Sequence, residues 1–217
     1  MVIHNNFSKK RKEMIENQLK NRGIYNEKLL KAFNKVPREK FLSKKYRKYA
    51  YSDRPLPIEE EQTISQPYIV AEMLQILDPQ EDDILLEIGT GSGYAAAVAS
   101  CMVKKVYGVE RHKKFALKSK KRFADLNYDN ITIKVDDGSR GWEDKSPFDI
   151  ILVSAAATYF PENLLEQLSE KGRMMIPIGT QFMQELMYFK KEGDKIKKEK
   201  FEKVRFVPLV RDDNKNI

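Results

Sequence analysis

The chain has 217 residues, 41% of them hydrophobic and 33% charged, with 40 Lys/Arg against 32 Asp/Glu for a formal net charge of +8. That composition fits a soluble protein of one domain, residues 1–217, and excludes an apolar run long enough to span a membrane. A single Cys101 and two histidines exclude an internal disulfide and leave no zinc cluster, so a monomeric, cytoplasmic, metal-free protein is expected.

Residues 1–50 carry fifteen Lys/Arg and four Asp/Glu, and the first twelve are polar and basic with no signal-peptide apolar stretch. The excess reads either as a nucleic-acid patch or as solvated helix faces, and the aromatics are not interleaved as a stacking platform needs. Met14, Leu19, Ile24, Leu29, Leu30 and Phe33 fall near helical spacing within residues 9–49, broken at Arg22-Gly23 and Val36-Pro37. Residues 53–57 are extended and stiffened by proline, a polar stretch follows at 59–62, and a helix is expected over 68–77. Strands then alternate with helices: strands at 84–88, 105–109, 131–135, 148–153 and 173–178, helices at 95–102, 113–126 and 163–170. Near-continuous apolar strands between helices predict an α/β fold, a doubly wound and mainly parallel sheet of the Rossmann-like type. The runs 185–190 and 195–206 flank the turn signal Lys191-Glu192-Gly193-Asp194, so antiparallel strands should close the sheet. On this division residues 1–78 form a helical, substrate-side segment and 79–217 the cofactor-binding sheet.

Leu85-Leu86-Glu87-Ile88-Gly89-Thr90-Gly91-Ser92-Gly93-Tyr94 is the most informative stretch. A strand runs into three glycines spaced one residue apart and then into a small-residue helix, whose free N–H groups favour a ligand. A dinucleotide fingerprint would need glycine where Tyr94 stands. The G-x-G-x-G form, with Glu87 two residues ahead, is the shape expected for S-adenosylmethionine; a plain strand–turn–helix without ligand is the competing reading. Glu110, closing the second strand, is placed to accept from both ribose hydroxyls, or else pairs with Arg111 or Lys113. Asp137 after the third strand could accept from an adenine amino group while Gly138 permits close approach, or the pair is an ordinary turn.

Two segments then carry a resemblance: Gln62-Thr63-Ile64-Ser65-Gln66-Pro67-Tyr68-Ile69-Val70-Ala71 and the glycine turn. With Asn21-Arg22-Gly23-Ile24, Val36-Pro37-Arg38, Asp137-Gly138-Ser139, Ala155-Ala156-Ala157, Ile176-Pro177-Ile178-Gly179 and Arg205-Phe206-Val207-Pro208-Leu209, the chain closely resembles bacterial protein-L-isoaspartate O-methyltransferases over nearly its whole length. The resemblance implies methyl transfer from S-adenosylmethionine, leaving S-adenosylhomocysteine, to the free α-carboxylate of L-isoaspartyl residues in damaged proteins and peptides. The ester then closes to a succinimide whose hydrolysis restores some normal aspartate. It assigns Ser65 the active-site hydroxyl, Thr63 and Ile64 adjoining contacts, and Glu87, Gly89, Thr90, Gly91, Gly93, Glu110, Asp137 and Gly138 the cofactor pocket; Gln184 and Val207 are carried over as substrate contacts. The chain departs from the pattern at Asp136, where a small residue is usual, and in 179–184, which lacks the usual glycines.

A carboxylate with an ordinary pKa of ~3.5 is ionised at neutral pH, so no general base is required and few histidines are no objection. Ser65 suits a neutral donor that orients the acceptor, or it caps the helix opening at Pro67. The stretch 204–207 either pairs with a peptide strand or is an ordinary sheet strand. The competing functions are a nucleic-acid methyltransferase with the same cofactor and a non-catalytic cofactor-sensing module. Against the first, no Asn/Asp-Pro-Pro-aromatic element is present.

Overall fold

Apolar runs bounded by turn residues become the strands, and the N-terminal helical pattern packs across one face of the sheet they form. The computed structural model describes residues 3–160, 162–193 and 195–212. Helix α1 (Ile3–Met14) continues through a π turn (Ile15–Leu19) that buries Ile15 and Leu19, then a 3-10 turn that Gly23 ends at φ +87°. Helix α2 (Glu27–Lys35) starts where the Asn26 side chain accepts from the Leu29 N–H, and stops at Val36, which is extended because Pro37 follows. Strands β1 (Leu56–Pro57) and β2 (Thr63–Ile64) form an antiparallel pair, and α3 (Pro67–Leu77) opens on Pro67.

The main sheet has seven strands: β3 (Ile84–Ile88), β4 (Lys105–Glu110), β5 (Ile131–Val135), β6 (Phe148–Val153), β7 (Leu168–Gly179), β8 (Gln184–Glu192) and β9 (Lys195–Val204). Their spatial order is β5-β4-β3-β6-β7-β8-β9, parallel from β5 to β7 and antiparallel from β7 to β9. The doubly wound sheet and its antiparallel close are therefore present. Alternation splits the core: Leu85, Ile150 and Leu152 face the N-terminal helices, α3 and α4 (Tyr94–Ala99), while Leu86, Ile151 and Val153 face the side of α6 (Glu162–Glu166). Helix α5 (Lys113–Asp125) follows β4. Among the described residues no helix is long and apolar enough to cross a membrane.

Most boundaries fall within two residues of expectation, and two helices and the start of β7 differ by more. Helix α4 starts at Tyr94 and ends at Ala99, with Ser100 closing it. The helix expected over 163–170 is confined to Glu162–Glu166, because Leu168 pairs with Phe148 and already begins β7. Of the expected turn 191–194, Asp194 lies outside the described residues.

Candidate active site

Strand β3 sits between β4 and β6, so crossovers leave it in both directions and a crevice opens at its carboxyl end. A hollow of about 500 Å³ lies there, walled by Gly89 and Gly91 after β3, Glu110 at the end of β4, Gly138 beyond β5, Ser154 beyond β6 and the chain at 207–210. A second hollow of about 350 Å³ adjoins it, lined by Arg22, Ser65, Gln66, Ile69 and residues 202–207. Thr63, Ser154 and Val207 line both. A smaller void of about 30 Å³ beneath the glycine turn is bordered by Thr63, Ile64, Ser65, Glu87, Thr90 and Ser154.

The glycines divide their work. Gly91 has φ +50°, and a Cβ built on it would meet nothing nearer than 3.8 Å, so its backbone is open to the hollow. Gly93, at φ +85°, faces inward, where a Cβ would lie 2.6 Å from the Phe123 ring, so close packing requires glycine there. Thr90 is buried with its hydroxyl unpartnered among the described residues. Tyr94, which stands where a dinucleotide turn needs glycine, is 2% exposed and packs edge-on against Phe33 and Phe41.

Two carboxyl groups flank the turn, Glu110 and Glu87. Glu110 accepts from the Gly91 N–H at 2.7 Å and the His112 N–H at 2.8 Å, while Arg111 turns to Asp212 at 3.7 Å instead. A carboxylate offers about four lone-pair positions, so each oxygen of Glu110 keeps one for a ligand. Glu87 is 1% exposed; its Oε1 accepts from the Ser154 hydroxyl at 3.2 Å and its Oε2 has no partner among the described residues. Burial pushes the Glu87 carboxyl well above its ordinary range, with the Ser154 hydroxyl opposing and the Glu110 charge adding.

Asp137 is not on the wall of the large hollow; Gly138 is. Its carboxylate accepts from the Ser139 N–H and the Asp212 N–H, both at 2.9 Å, and so braces the C-terminal segment. Like Glu110, Asp137 accepts one N–H on each oxygen, so the bracing leaves each oxygen a position for a further donor such as an adenine amino group. Burial raises its carboxyl, but those two N–H donors and Arg140 outweigh burial and hold it below the ordinary range. The departure at Asp136 is absorbed locally, since Asp136 pairs with Lys134 at 2.8 Å and accepts from the Asp137 N–H.

Ser65 is half-buried and its hydroxyl makes no hydrogen bond among the described residues. It is not the cap of α3: Gln66 holds that position, with no side-chain capping bond. Ile64 is 3% exposed and pairs with Leu56, fixing the segment from behind. Gln184 is 3% exposed, and its amide holds Phe206, donating to the carbonyl at 3.1 Å and accepting from the N–H at 2.6 Å. It thereby positions the 204–207 segment. Ser154 is the functional residue that sequence reasoning missed. Only its place directly after a parallel strand pointed to it.

Comparison with known proteins agrees with this geometry. The family model for protein-L-isoaspartate(D-aspartate) O-methyltransferase matches residues 9–214. Protein-L-isoaspartate O-methyltransferase of Petrotoga mobilis is 48% identical over 206 residues, covering 94% of this chain and 97% of that one. The Aliivibrio salmonicida enzyme is 48% identical over 203 residues, with coverage of 94% and 97%. A solved protein-L-isoaspartate O-methyltransferase superposes with a TM-score of 0.85 at 32% identity, over 93% of this chain and 66% of its own length. A Plasmodium falciparum candidate member, solved with S-adenosyl-L-homocysteine, gives a TM-score of 0.80 at 28% identity, over 92% and 98%. The chain belongs to the protein-L-isoaspartate(D-aspartate) O-methyltransferase family.

Proposed function

We propose that this protein transfers a methyl group from S-adenosylmethionine to the free α-carboxylate of L-isoaspartyl residues in damaged proteins and peptides, as a monomeric, single-domain cytoplasmic repair enzyme. The observation that carries this reading is the meeting of two hollows at Thr63, Ser154 and Val207, with the unpartnered Ser65 hydroxyl on the second of them. The large hollow fits the donor. Gly91 leaves room for close approach, and Glu110 keeps acceptor positions for a pair of ribose hydroxyls.

When bound, S-adenosylmethionine supplies an already electrophilic methyl group on its sulfonium. The chain's residues then have to bind, align and exclude water, which is where positioning gains its rate advantage. The acceptor is ionised at neutral pH, so no side chain has to remove a proton. Ser65 orients it by donating from a neutral hydroxyl, which leaves the carboxylate nucleophilic. The main chain at 204–207, held by Gln184, offers the backbone edge that a sequence-tolerant peptide site needs.

The test is methyl transfer to an isoaspartyl peptide, its aspartyl isomer and tRNA, with Ser65→Ala alongside. Transfer to the isoaspartyl peptide alone is expected. Losing one hydrogen bond to a charged group, ~1.5–3 kcal/mol, predicts kcat lower by ~10- to 100-fold in Ser65→Ala with cofactor affinity within about threefold. Transfer to RNA only, or cofactor binding without transfer, would overturn the reading.

A further inference from the structure

Arg38 is 0% exposed and has no carboxylate partner among the described residues; its neighbour Glu39 is engaged by Tyr51 and Arg11 instead. A buried guanidinium without a counter-ion is disfavoured unless its donors are met. Arg38 meets two of them with backbone, while its Nη1 has no partner among the described residues. Its Nε donates to the Ala50 carbonyl at 2.8 Å and its Nη2 to the Ser65 carbonyl at 2.7 Å. Its Cζ lies 4.6 Å from the centre of the Tyr94 ring, and Tyr94 is the first residue of the helix behind the glycine turn. Burial lowers its pKa only to about 10, so the cation persists at neutral pH.

The Ser65 carbonyl needs this donor. The β1–β2 ladder ends at Ile64, Gln66 caps α3 without a side-chain bond, and Pro67 has no N–H to offer. The backbone gives that carbonyl no partner among the described residues. Where the carbonyl is held, the peptide plane is held, and with it the direction of the Ser65 Cα–Cβ bond.

We propose that Arg38 is a positioning residue for Ser65, its buried guanidinium clamping the Ser65 and Ala50 carbonyls against the Tyr94 face so that the hydroxyl stays aimed at the junction of the two hollows. This rests on the reading of Ser65 as the hydroxyl that orients the acceptor. Arg38 touches neither donor nor acceptor, so it acts only through Ser65.

The experiment is a double-mutant cycle on methyl transfer to an isoaspartyl peptide, with Arg38→Lys, Arg38→Ala, Ser65→Ala and the corresponding double variants. Lysine keeps the charge but has one compact donor head in place of a fork spanning two carbonyls. Cofactor affinity and the far-ultraviolet spectrum report folding, and Arg38→Lys carries the test if Arg38→Ala does not fold. Expected is a kcat about tenfold lower, with peptide KM and cofactor affinity each within about threefold, and an effect that vanishes in the Ser65→Ala background. An equal loss in both backgrounds, or kcat unchanged in the single variants, would overturn the proposal. A wild-type enzyme inactive on isoaspartyl peptides would instead overturn the functional reading on which it stands.

Discussion

Adding one methyl group to the glycine turn should have opposite consequences at positions two residues apart. In Gly93→Ala the new Cβ lies 2.6 Å from Phe123 Cζ and 2.9 Å from Cε1, with Ser119 Oγ at 3.3 Å. Phe123 cannot easily retreat: it is 3% exposed and edge-on to Tyr128 at 6.0 Å. Overpacking of this kind costs about 1–3 kcal/mol. The left-handed backbone at φ +85° adds about 1–2 kcal/mol for a residue with a Cβ. The sum, about 2–5 kcal/mol, is a large part of the ~5–15 kcal/mol that holds a domain folded. In Gly91→Ala the nearest atoms are Gly89 O at 3.8 Å and Ile58 Cδ1 at 3.9 Å, so only the backbone term of about 1–2 kcal/mol remains. That methyl would enter the space through which a nucleoside approaches. Urea unfolding and calorimetric titration with S-adenosylhomocysteine separate the two effects. Gly93→Ala should unfold at clearly lower urea yet bind with near-native affinity when folded, whereas Gly91→Ala should lose only the backbone term of about 1–2 kcal/mol and bind at least about tenfold more weakly, ~1.4 kcal/mol. If Gly93→Ala lost less than about 1 kcal/mol of stability, or if Gly91→Ala bound normally, the division of labour along the turn would be wrong.

Glu110→Gln should weaken cofactor binding by about tenfold or more and also lower stability by ~1–3 kcal/mol, because an amide nitrogen would face one of the N–H donors of Gly91 or His112; calorimetry and urea unfolding read the two. Glu72→Gln addresses pH. Burial first, then the contact with Glu202, push the Glu72 carboxyl up to about 7. The folded state therefore binds more protons than the unfolded state between about pH 4.5 and 7, and this group's contribution to stability falls as pH rises through that window. The stability difference between wild type and Glu72→Gln, followed by urea unfolding, should decline over that window; a flat difference would refute the coupling.

Legibility followed the range of the interaction. Strands 84–88, 131–135 and 148–153 could be read to the residue because each is mostly apolar, carries β-branched residues and at most two polar positions, and is followed directly by Gly89, Asp136 or Ser154. Gly91 and Glu110 were likewise readable, since one lies in the glycine turn after a parallel strand and the other closes the next parallel strand. The start of β7 was not: residues 168–171, Leu-Ser-Glu-Lys, look helical in isolation, and pairing of Leu168 with Phe148 makes them extended. Each two-residue strand of the β1–β2 pair is too short to leave a periodicity. The parts of Asp137 and Gln184 depend on Asp212 and Phe206, 75 and 22 positions away, and no local pattern encodes those partners. Tyr94 was read only as an obstacle to a dinucleotide, although its burial beneath Arg38 ties the turn to Ser65.

The two hollows also differ in charge, and the difference explains the residue types at their junction. Glu61 and Glu110 line the first, while Arg111 beside them is turned to Asp212. Arg22, Lys203 and Arg205 line the second, against Glu202. A cationic donor and an anionic acceptor are thus each drawn to the opposite sign, an attraction that strengthens as water is excluded. At the junction itself the side chains of Thr63, Ser154 and Val207 are neutral, as is Ser65 on the second hollow. A cation there would pair with the acceptor carboxylate and hold back the lone pair that has to react. The nearby Arg38 is kept from doing so because its guanidinium donates to the carbonyls of Ala50 and Ser65.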